Sequence, residues 1–315
     1  MNYSAPSSHT NNQCVTIDLE KTYDLDEVAV WNYFGDPRSY YNNKTYVSKD
    51  NSNWNEILNE ASIETSNGHR INAYTNTYNG YVSDGLVLWY DGFANTGTDR
   101  NNTSSTWKNL ANSSYSGTLK NSPTWYGDYL SFDGTNDSAK TNQSINYNGS
   151  KSFTIQFVGT VYKKTTSSII FESSENSNNN SGSYYVDTLE YGDRDITLAM
   201  KYGSIRNHKK ANKILDDNKA LYTIIFDSTK ETNKYISIYK NLEKYTIEEA
   251  YSTTPVTGNI DNKTLSNYVF YIASRAGTGS YSKMDINSLR IYNKALTPEE
   301  IHRNYLYDKQ KFNIE

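Results

Sequence analysis

Four histidines and one cysteine are the first candidates for metal binding or nucleophilic chemistry in this sequence. His9, His69, His208 and His302 are widely separated, and none belongs to an HExxH or similar zinc motif. Cys14 has no neighbours that mark an activated thiol, so a buried and inert side chain is its ordinary interpretation. The sequence also contains neither a phosphate-binding glycine loop nor a G-x-S-x-G motif. We therefore expect a protein that is not an enzyme.

Paired carboxylates are the other common catalytic arrangement, because glycoside hydrolysis uses two acids that flank the scissile bond. The nearest candidate group is Glu190, Asp193 and Asp195 in LEYGDRD. Their spacing does not place all three on one face of a strand, and Gly192 indicates a turn. We expect a solvated hairpin tip here rather than a hydrolytic site.

Binding of carbohydrate needs flat aromatic faces surrounded by polar groups that bind hydroxyls. The segment YFGDPRSYY supplies both, and its candidate ligand-binding residues are Tyr33, Arg38, Tyr40 and Tyr41. A structural role is the alternative, in which Arg38 pairs with Asp36 or Asp50 and the rings pack inside the protein. The residues alone leave both interpretations open.

The turn sequence FDGTND offers a second kind of site, because calcium prefers several oxygen ligands. Asp133 and Asp137 could join Asp91 or Asp285 around a calcium ion. Asp-Gly and Asn-Asp are also ordinary hairpin sequences, so the same residues are compatible with a simple turn. Calcium is the only cofactor that the sequence suggests.

The composition indicates a polar protein built from strands. The chain has 315 residues, of which 30 are Tyr and only 9 are Phe, with 31 basic against 35 acidic residues. Tyr favours strands and Asn, Gly and Ser favour turns. A net charge of -4 gives no basic surface for nucleic acid, and no apolar run is long enough to insert into a membrane. One cysteine excludes an internal disulfide.

Short apolar runs with a period of two residues predict strands over much of the chain. The clearest examples are Ile17 and Leu19, the triplet Phe153, Ile155 and Phe157, the pair Ile236 and Ile238, and the pair Leu289 and Ile291. The runs TIIFDS (223–228) and VFYIAS (269–274) are almost continuously apolar and predict central strands. Trp31, Trp54 and Trp89 lie within such strand motifs, and we expect them in the core. The polar segment 172–183 predicts a loop between strands.

One helix is predicted near the C-terminus, over 298–309. Thr297 can cap it, Pro298 suits its first position, and Glu300 completes a capping box. Ile301, Tyr305 and Leu306 then form an apolar stripe at helical spacing. The helix is expected to pack on a β-sandwich.

The first region resembles the discoidin family, also called coagulation factor 5/8 type C. The matching segments are VTIDL, an aromatic strand with Trp31 and Tyr33, and the segment VSKDNSNW with Asp50 and Trp54. Glu20 and Asn51 replace glycines of the family pattern. The region has about half of the family's usual length, so we expect a partial module. In that family, loops such as YFGDPRSYY contact ligands.

The larger region resembles a laminin-G-like, concanavalin-A-like jelly roll. The four matching segments are GLVLWYDG (85–92), TWKNLANSSYSGTL (106–119), YLSFDGTNDSAK (129–140) and SLRIYNKALTPEEIHRNY (288–305). We therefore predict an all-β chain with a partial discoidin-like module over 1–78. A jelly-roll β-sandwich with a short C-terminal α-helix follows over 79–315.

The combination resembles tail or baseplate proteins of phages and prophages of low-GC Gram-positive bacteria. It implies a non-enzymatic structural and receptor-binding protein that attaches to a bacterial surface glycan. Other tail or baseplate subunits are the implied partners, and a homotrimer is implied by analogy. The start MNYSAPSSHT has no signal-peptide pattern, so we expect a virion protein made in the cytoplasm. A purely structural component and a carbohydrate-binding module of a secreted hydrolase are the alternatives.

Overall fold

The structure, a computed structural model, describes residues 2–4, 16–20, 28–30, 40–48, 50–63, 69–71, 80–97, 100–175, 180–188, 194–203, 205–231, 234–250 and 260–314. Backbone contacts divide the chain into two compact units, Met1–Tyr81 and Val82–Glu315. Both units consist mainly of antiparallel strands, which confirms the predicted all-β class.

The described strands of the first unit form two-stranded antiparallel sheets. They are β1 (Asn2–Ser4), β2 (Thr16–Asp18), β3 (Val28–Val30), β4 (Tyr40–Val47), β5 (Asn55–Ile63) and β6 (His69–Ile71). Strand β1 pairs with β2, β3 with β6, and β4 with β5. The strand predicted around Ile17 is thus confirmed as β2.

Two non-glycine residues of this unit have left-handed backbone conformations. Glu20 has φ of 68° and Asn51 has φ of 55°. The side chain of Asp50 stabilises the second turn, because its Oδ1 accepts hydrogen bonds from the backbone N–H groups of Ser52 at 2.9 Å and Asn53 at 2.8 Å. These bonds hold the pKa of Asp50 well below its usual range. The turns therefore form without glycine.

Two apolar side chains of the first unit are more exposed than the sequence predicts. Trp54, expected in the core, is 46% exposed, and Ile17 is 55% exposed. Each described strand of this unit pairs with a single other strand, so these sheets are small. The core assignment of Trp54 was wrong, and Trp31 lies outside the described residues.

The second unit contains the remaining strands and a helix. The strands are β7 (Leu86–Asp91), β8 (Thr106–Trp107), β9 (Gly117–Lys120), β10 (Thr124–Tyr126), β11 (Tyr129–Asp133), β12 (Ser138–Thr141), β13 (Ser152–Val161), β14 (Ser168–Ser173), β15 (Ser183–Thr188), β16 (Ile196–Tyr202), β17 (Ile205–Ala211), β18 (Ala220–Asp227), β19 (Ile236–Lys240), β20 (Glu243–Lys244), β21 (Ile247–Glu249), β22 (Phe270–Ile272) and β23 (Lys283–Tyr292), and the helix is α1 (Pro298–Phe312).

These strands form two sheets. The eight-stranded sheet has the order β10-β11-β23-β13-β18-β19-β20, and β7 also pairs with β23. The nine-stranded sheet has the order β21-β17-β16-β15-β14-β22-β12-β9-β8. The predicted runs 223–228 and 269–274 correspond to β18 and β22, and each has a partner strand on both sides. The predicted loop 172–183 connects the paired strands β14 and β15.

The core lies between the two sheets and is rich in aromatic rings. Phe153 of β13 stacks on Tyr184 of β15 at 4.3 Å between ring centroids. Phe157 of β13 meets Phe171 of β14 edge to face at 5.2 Å. Each pair joins a strand of one sheet to a strand of the other, so the sheets pack face to face as a β-sandwich.

The helix begins with the capping box that the sequence predicts. The Thr297 side chain accepts a hydrogen bond from the backbone N–H of Glu300, and the Glu300 side chain accepts one from the N–H of Thr297. The helix runs three residues beyond the predicted end, to Phe312, and Asn313 closes it with φ of 51°. Ile301 and Tyr305 are buried as predicted.

The helix covers the outer face of the eight-stranded sheet, whose inner face lines the core. Ile301 packs with Ile225 of β18 and Tyr292 of β23, and Tyr305 packs with Val158 of β13 and Leu221 of β18. Strand β18 is therefore buried at every position. Trp89 of β7, predicted as a core residue, is only half-buried, and Lys311 Nζ of the helix lies 5.7 Å from its ring centroid.

An ion pair is buried beneath the helix. Arg290 of β23 and Asp308 of α1 both have side chains with no exposed surface. Arg290 Nη1 donates to Asp308 Oδ1 at 3.0 Å, and Arg290 Nη2 donates to Asp308 Oδ2. This two-bond geometry fixes the position of the helix on the sheet.

A neutral hydrogen-bond network lies beside the ion pair. Asn304 Nδ2 donates to Gln156 Oε1 at 2.6 Å and to the Tyr292 hydroxyl at 2.9 Å. Asn304 Oδ1 accepts a hydrogen bond from the backbone N–H of Val82 at 2.9 Å. Gln156 donates in turn to Thr223 Oγ1 at 2.9 Å. These side chains are buried and bonded, which avoids the cost of an unsatisfied polar group.

None of the described helices is long and apolar enough to span a membrane.

We expect an Asp308→Ala variant to lose about 3–5 kcal/mol of unfolding free energy, because the buried Arg290 charge would lack its partner. Urea unfolding followed by circular dichroism measures this loss. Glu231→Ala is the control, since it removes one member of the exposed Glu231–Lys234 pair and should cause no measurable change. Equal effects of the two substitutions would show that the buried pair does not hold the helix in place.

Candidate functional site

The four residues predicted to bind ligand are only partly described. Tyr33 and Arg38 lie outside the described residues, as does Asp36, the alternative partner of Arg38. Tyr40 and Tyr41 begin strand β4, where their backbones pair with Ile63 and Ser62 of β5. A ligand site at Tyr33, Arg38, Tyr40 and Tyr41 stays a prediction.

The two aspartates predicted to bind calcium hydrogen-bond to their own turn. Asp133 Oδ1 accepts from the backbone N–H groups of Thr135 at 2.7 Å, Asn136 at 3.3 Å and Asp137 at 3.4 Å. Asp137 Oδ2 accepts from the N–H of Asp133 at 3.1 Å. Both carboxylates therefore stabilise the turn that follows β11, as the alternative interpretation of this segment requires.

The carboxylates expected to join them belong to other networks. Asp91 Oδ1 accepts from the N–H of Phe93 at 2.9 Å, and its Oδ2 accepts from Lys311 Nζ at 2.5 Å. Asp285 Oδ2 accepts from the Tyr162 hydroxyl at 2.7 Å. Within the described part of the chain, no group of three or more His, Cys, Asp or Glu side chains could hold a metal ion. Calcium at Asp133 and Asp137 alone stays a prediction.

The acidic group considered for hydrolysis is also only partly described, because Glu190 and Asp193 lie outside the described residues. Asp195 is buried rather than solvated. Its Oδ1 accepts from the backbone N–H of Lys213 at 2.8 Å, and its Oδ2 pairs with Lys210 Nζ at 3.3 Å. Asp195 thus stabilises the end of the β16–β17 hairpin.

A surface with the chemistry expected for carbohydrate lies elsewhere, on the outer face of the eight-stranded sheet. We call it the tyrosine patch, and its members are Tyr126, Asp128, Tyr129, Tyr162, Lys283, Asp285 and Asn287. These residues come from the β10–β11 hairpin, the position directly after β13 and the first half of β23. The antiparallel pairs β10–β11, β11–β23 and β13–β23 bring them together.

The exposed part of the patch is a pair of stacked rings. Tyr126 and Tyr129 are cross-strand partners that flank the Gly127–Asp128 turn. Their ring centroids are 5.5 Å apart with 28° between the ring planes. Tyr126 is 50% exposed, whereas Trp125 beside it points into the core. Gly127 in the turn has φ of 38°, a conformation that favours glycine, and nothing lies within 4 Å of the position of a Cβ atom there.

The third ring, Tyr162, is held by one hydrogen bond and one cation. The Tyr162 hydroxyl donates to Asp285 Oδ2 at 2.7 Å. Lys283 Nζ lies 5.3 Å from the centroid of the same ring, which is the distance of a cation–π contact. Lys283 and Asp285 are two residues apart on β23, so they share one face of the strand.

The buried side chain of Asn287 fixes the hairpin turn from below. Asn287 is 2% exposed, and its Nδ2 donates to Asp128 Oδ2 at 2.9 Å and to the Asp128 carbonyl at 3.3 Å. Asp128 cannot rotate away without breaking these bonds. The polar rim of the stacked rings is therefore held in place before any ligand arrives.

Two phenol groups of the patch, those of Tyr129 and Tyr162, have raised pKa values and keep their protons well above neutral pH. Burial and the charge of Asp285 raise the pKa of Tyr129. Burial, the hydrogen bond to Asp285 and the charge of Asp285 raise the pKa of Tyr162 to about 12. The rings thus remain neutral, and their faces can contact the apolar C–H groups of a ligand.

Comparison with known proteins supports the fold. No protein-family model matches the sequence, and no curated protein sequence matches it either. The receptor-binding domain of botulinum neurotoxin C/D mosaic serotype is similar, with a TM-score of 0.51 and 13% identity over 73% of this chain and 52% of that chain. The binding domain of serotype D gives a TM-score of 0.50 and 13% identity over 73% of this chain and 53% of that chain.

A third similar structure is from botulinum neurotoxin type C, whose cell entry depends upon interaction with two ganglioside molecules. Its TM-score is 0.50, with 13% identity over 72% of this chain and 52% of that chain. The present chain spans about half the length of these three chains. The similarity shows a shared β-sandwich fold.

The tyrosine patch was missed in the sequence, although part of its signal is visible there. The segment TWYGDY places two tyrosines on either side of a Gly-Asp turn, which is typical of a tight hairpin. Tyrosines directly opposite each other in such a hairpin are expected to stack. The approach of Tyr162 and Asp285, which are 123 residues apart, has no signal in either local sequence.

We expect Asp285→Asn to lower the pKa of Tyr162 from about 12 towards the ordinary value near 10. The variant should retain part of the shift, because burial remains. Below pH of about 10 the Tyr162 phenol is protonated in both the folded and the unfolded chain, so it does not affect stability. Above pH of about 10 the unfolded chain loses this proton first, and the wild type therefore loses stability as the pH rises to about 12. The variant should lose stability over a narrower pH range, because its folded-state pKa is lower. An NMR titration of the Tyr162 ring carbon measures the pKa. Glu231→Gln should leave it unchanged, and an unaltered titration in Asp285→Asn would contradict the assignment.

Proposed function

We propose that the protein is a non-enzymatic carbohydrate-binding protein that holds its ligand on the tyrosine patch. The observation that carries this proposal is the stacked pair of Tyr126 and Tyr129, with Tyr126 half exposed at the tip of a fixed hairpin. An aromatic face at the surface suits the apolar face of a sugar ring, since both are flat and neither needs to be desolvated at high cost.

Polar groups around the rings supply the other half of sugar recognition. Asp285 and Asp128 provide carboxylate oxygens that accept hydrogen bonds from sugar hydroxyls, and Lys283 provides an ammonium donor. Both carboxylates are already positioned by neighbouring side chains, Tyr162 for Asp285 and Asn287 for Asp128. The arrangement therefore favours binding with defined orientation over the transfer of protons.

The biological setting in this proposal rests on the resemblance of the sequence alone. By that resemblance, the protein is a receptor-binding component of a phage tail or tail-like particle and its ligand is a glycan of the bacterial surface. Other tail or baseplate subunits are its partners, a homotrimer is its assembly and the virion is its location. Tyr33, Arg38, Tyr40 and Tyr41 of the first unit are then a second contact with the ligand.

We expect Tyr126→Ala to weaken binding of wall polysaccharide by about five- to tenfold, which corresponds to the roughly 1 kcal/mol that an aromatic contact contributes. Tyr126→Phe should bind nearly as well as the wild type, because it keeps the ring face. Isothermal titration calorimetry with polysaccharide selected on a glycan array measures both. The matched control is Tyr46→Ala, which removes an exposed tyrosine of the first unit and should have no effect.

Three results would contradict the proposed function. If the wild type retains no glycan and binds only particle proteins, the protein is a purely structural component. If Tyr126→Ala binds glycan as well as the wild type does, the tyrosine patch is not the binding surface. Release of reducing sugar from a bound glycan would contradict the non-enzymatic part.

A further inference from the structure

A second cluster of charged and aromatic side chains lies on the outer face of the nine-stranded sheet, on the opposite side of the sandwich from the tyrosine patch. Leu119 and Ala139 pack towards the core, so the alternating neighbours Lys120 and Lys140 lie on the outer face. The register pairs Thr118 with Lys140 and Lys120 with Ser138. The two lysines are therefore diagonal neighbours across β9 and β12.

The lysines have no acidic partner among the described residues. Neither lysine forms an ion pair within 4.0 Å in the part of the chain that the structure describes, although many other lysines of the second unit do. Like charges at neighbouring positions on one sheet face repel each other. A bound anion would remove this repulsion.

Tyr271 of β22 lies next to the lysines on the same face. Its strand neighbours Phe270 and Ile272 are in the core, and Tyr271 is the direct cross-strand partner of Lys140. Its other partner is Glu172 of β14. Burial and then the charge of Glu172 raise the pKa of Tyr271, so its ring is neutral at physiological pH.

The segment 273–282, which follows β22, is fixed against this face. Glu172 Oε2 accepts a hydrogen bond from the backbone N–H of Ala276 at 3.0 Å, and Glu172 Oε1 accepts one from the Ser174 hydroxyl at 2.6 Å. Ser282 Oγ donates to the Ile169 carbonyl at 2.7 Å. The Arg275 N–H donates to the Gly279 carbonyl at 2.8 Å, which closes the turn. The segment is therefore organised without a ligand.

Gly277 of this segment shows how close the lysine and the tyrosine are. A Cβ atom on Gly277 would lie 3.8 Å from Lys120 Nζ and 3.7 Å from Tyr271 Cε1. The Lys120 ammonium group and the Tyr271 ring therefore both border the small space above Gly277. The φ of Gly277 is 70°, a conformation that glycine adopts without strain.

Arg275 adds a third cation, two residues before Gly277. Its guanidinium lies 5.3 Å from the ring centroid of Tyr185, which holds the side chain against the sheet. Two described acids lie on neighbouring strands of this face: Glu172, whose oxygens bond Ala276 and Ser174, and Asp187, which lies 3.6 Å from His208 Nε2. Burial raises the pKa of Asp187, and the hydrogen bond to His208 and the charges of His208 and Arg275 oppose this shift only in part. Lys120 and Lys140, which form no ion pair within the described residues, therefore place positive charge beside the Tyr271 ring.

We propose that Lys120, Lys140 and Tyr271 form a second binding site, which takes the carboxylate or phosphate group of an acidic saccharide. The two ammonium groups neutralise the anion, and the Tyr271 ring contacts the apolar face of the sugar that carries it. The saccharide part rests on the proposed function of the protein. The preference for an anion rests on the charges of this face alone.

The test compares oligogalacturonate with its methyl ester, which has the same rings without the charges. We expect the wild type to bind oligogalacturonate roughly tenfold more tightly than the ester at low salt, and the difference to shrink as salt is added. The double variant Lys120→Ala/Lys140→Ala should bind both equally. Its thermal unfolding temperature should be equal to or above that of the wild type, because two like charges are removed.

The matched control is Lys213→Ala/Lys263→Ala, which removes the same net charge at two exposed positions on other elements and should keep the tenfold difference. Equal binding of acid and ester by the wild type would overturn the proposal, as would a difference that survives in Lys120→Ala/Lys140→Ala. If inorganic phosphate competes with oligogalacturonate for the wild type, the result supports a site that also accepts phosphate groups. If inorganic phosphate does not compete, the site takes carboxylates and the phosphate group is removed from the proposal.

Tyr126→Ala separates this proposal from the proposed function. If that variant loses neutral glycan but keeps the preference for the acid, both sites act independently, as we expect. If the wild type binds neutral glycan in a manner that depends on Tyr126 but shows no preference for the acid, only the second site fails. If the wild type binds neither polymer, both proposals fail.

Discussion

The central strands of the eight-stranded sheet are buried on both faces, and the architecture of the second unit depends on this constraint. The inner face packs aromatic rings against the nine-stranded sheet, and the outer face needs a second cover. Helix α1 provides it through apolar contacts and through buried polar groups that bond one another. A buried charge without its partner lowers the stability of the folded state. The Arg290–Asp308 pair therefore favours the one position of the helix in which both side chains bond each other.

The position of the helix also decides which part of the outer face stays open. The buried residues of the helix contact β13, β18 and β23 around Val158, Leu221, Ile225 and Tyr292. Towards the β10–β11 edge the same face carries Tyr129, Tyr162 and Asp285, which the helix contacts leave at least partly accessible. The outer face of the eight-stranded sheet is thus buried under the helix in one part, and the tyrosine patch is the part of the same face that the helix does not cover. Rigidity of that core is what holds the stacked rings and their polar rim in a fixed arrangement.

Local sequence predicted the elements well where the pattern was reinforced by a second layer. The alternation of Phe153, Ile155 and Phe157 corresponds to inward-facing positions of β13, and Thr297 and Glu300 form the predicted capping box. The core prediction was wrong for Trp54, which is exposed in the first unit, and Ile17 is exposed as well although its predicted strand forms. A period of two residues shows that one face of a strand is apolar, but it does not show that another layer covers that face.

What the sequence by itself determined was the class of fold, the existence and type of the main elements, and the start of the helix, because these depend on neighbours within a few residues. Only the tertiary structure decided which side chains meet. Tyr162 and Asp285 are 123 residues apart, and Glu172 and Ala276 are 104 residues apart. Such contacts follow from the order and register of strands in each sheet, which are set by how the two apolar faces and the helix pack together. A slip of one residue would turn each of these side chains to the other face, so no local pattern can encode the two surfaces.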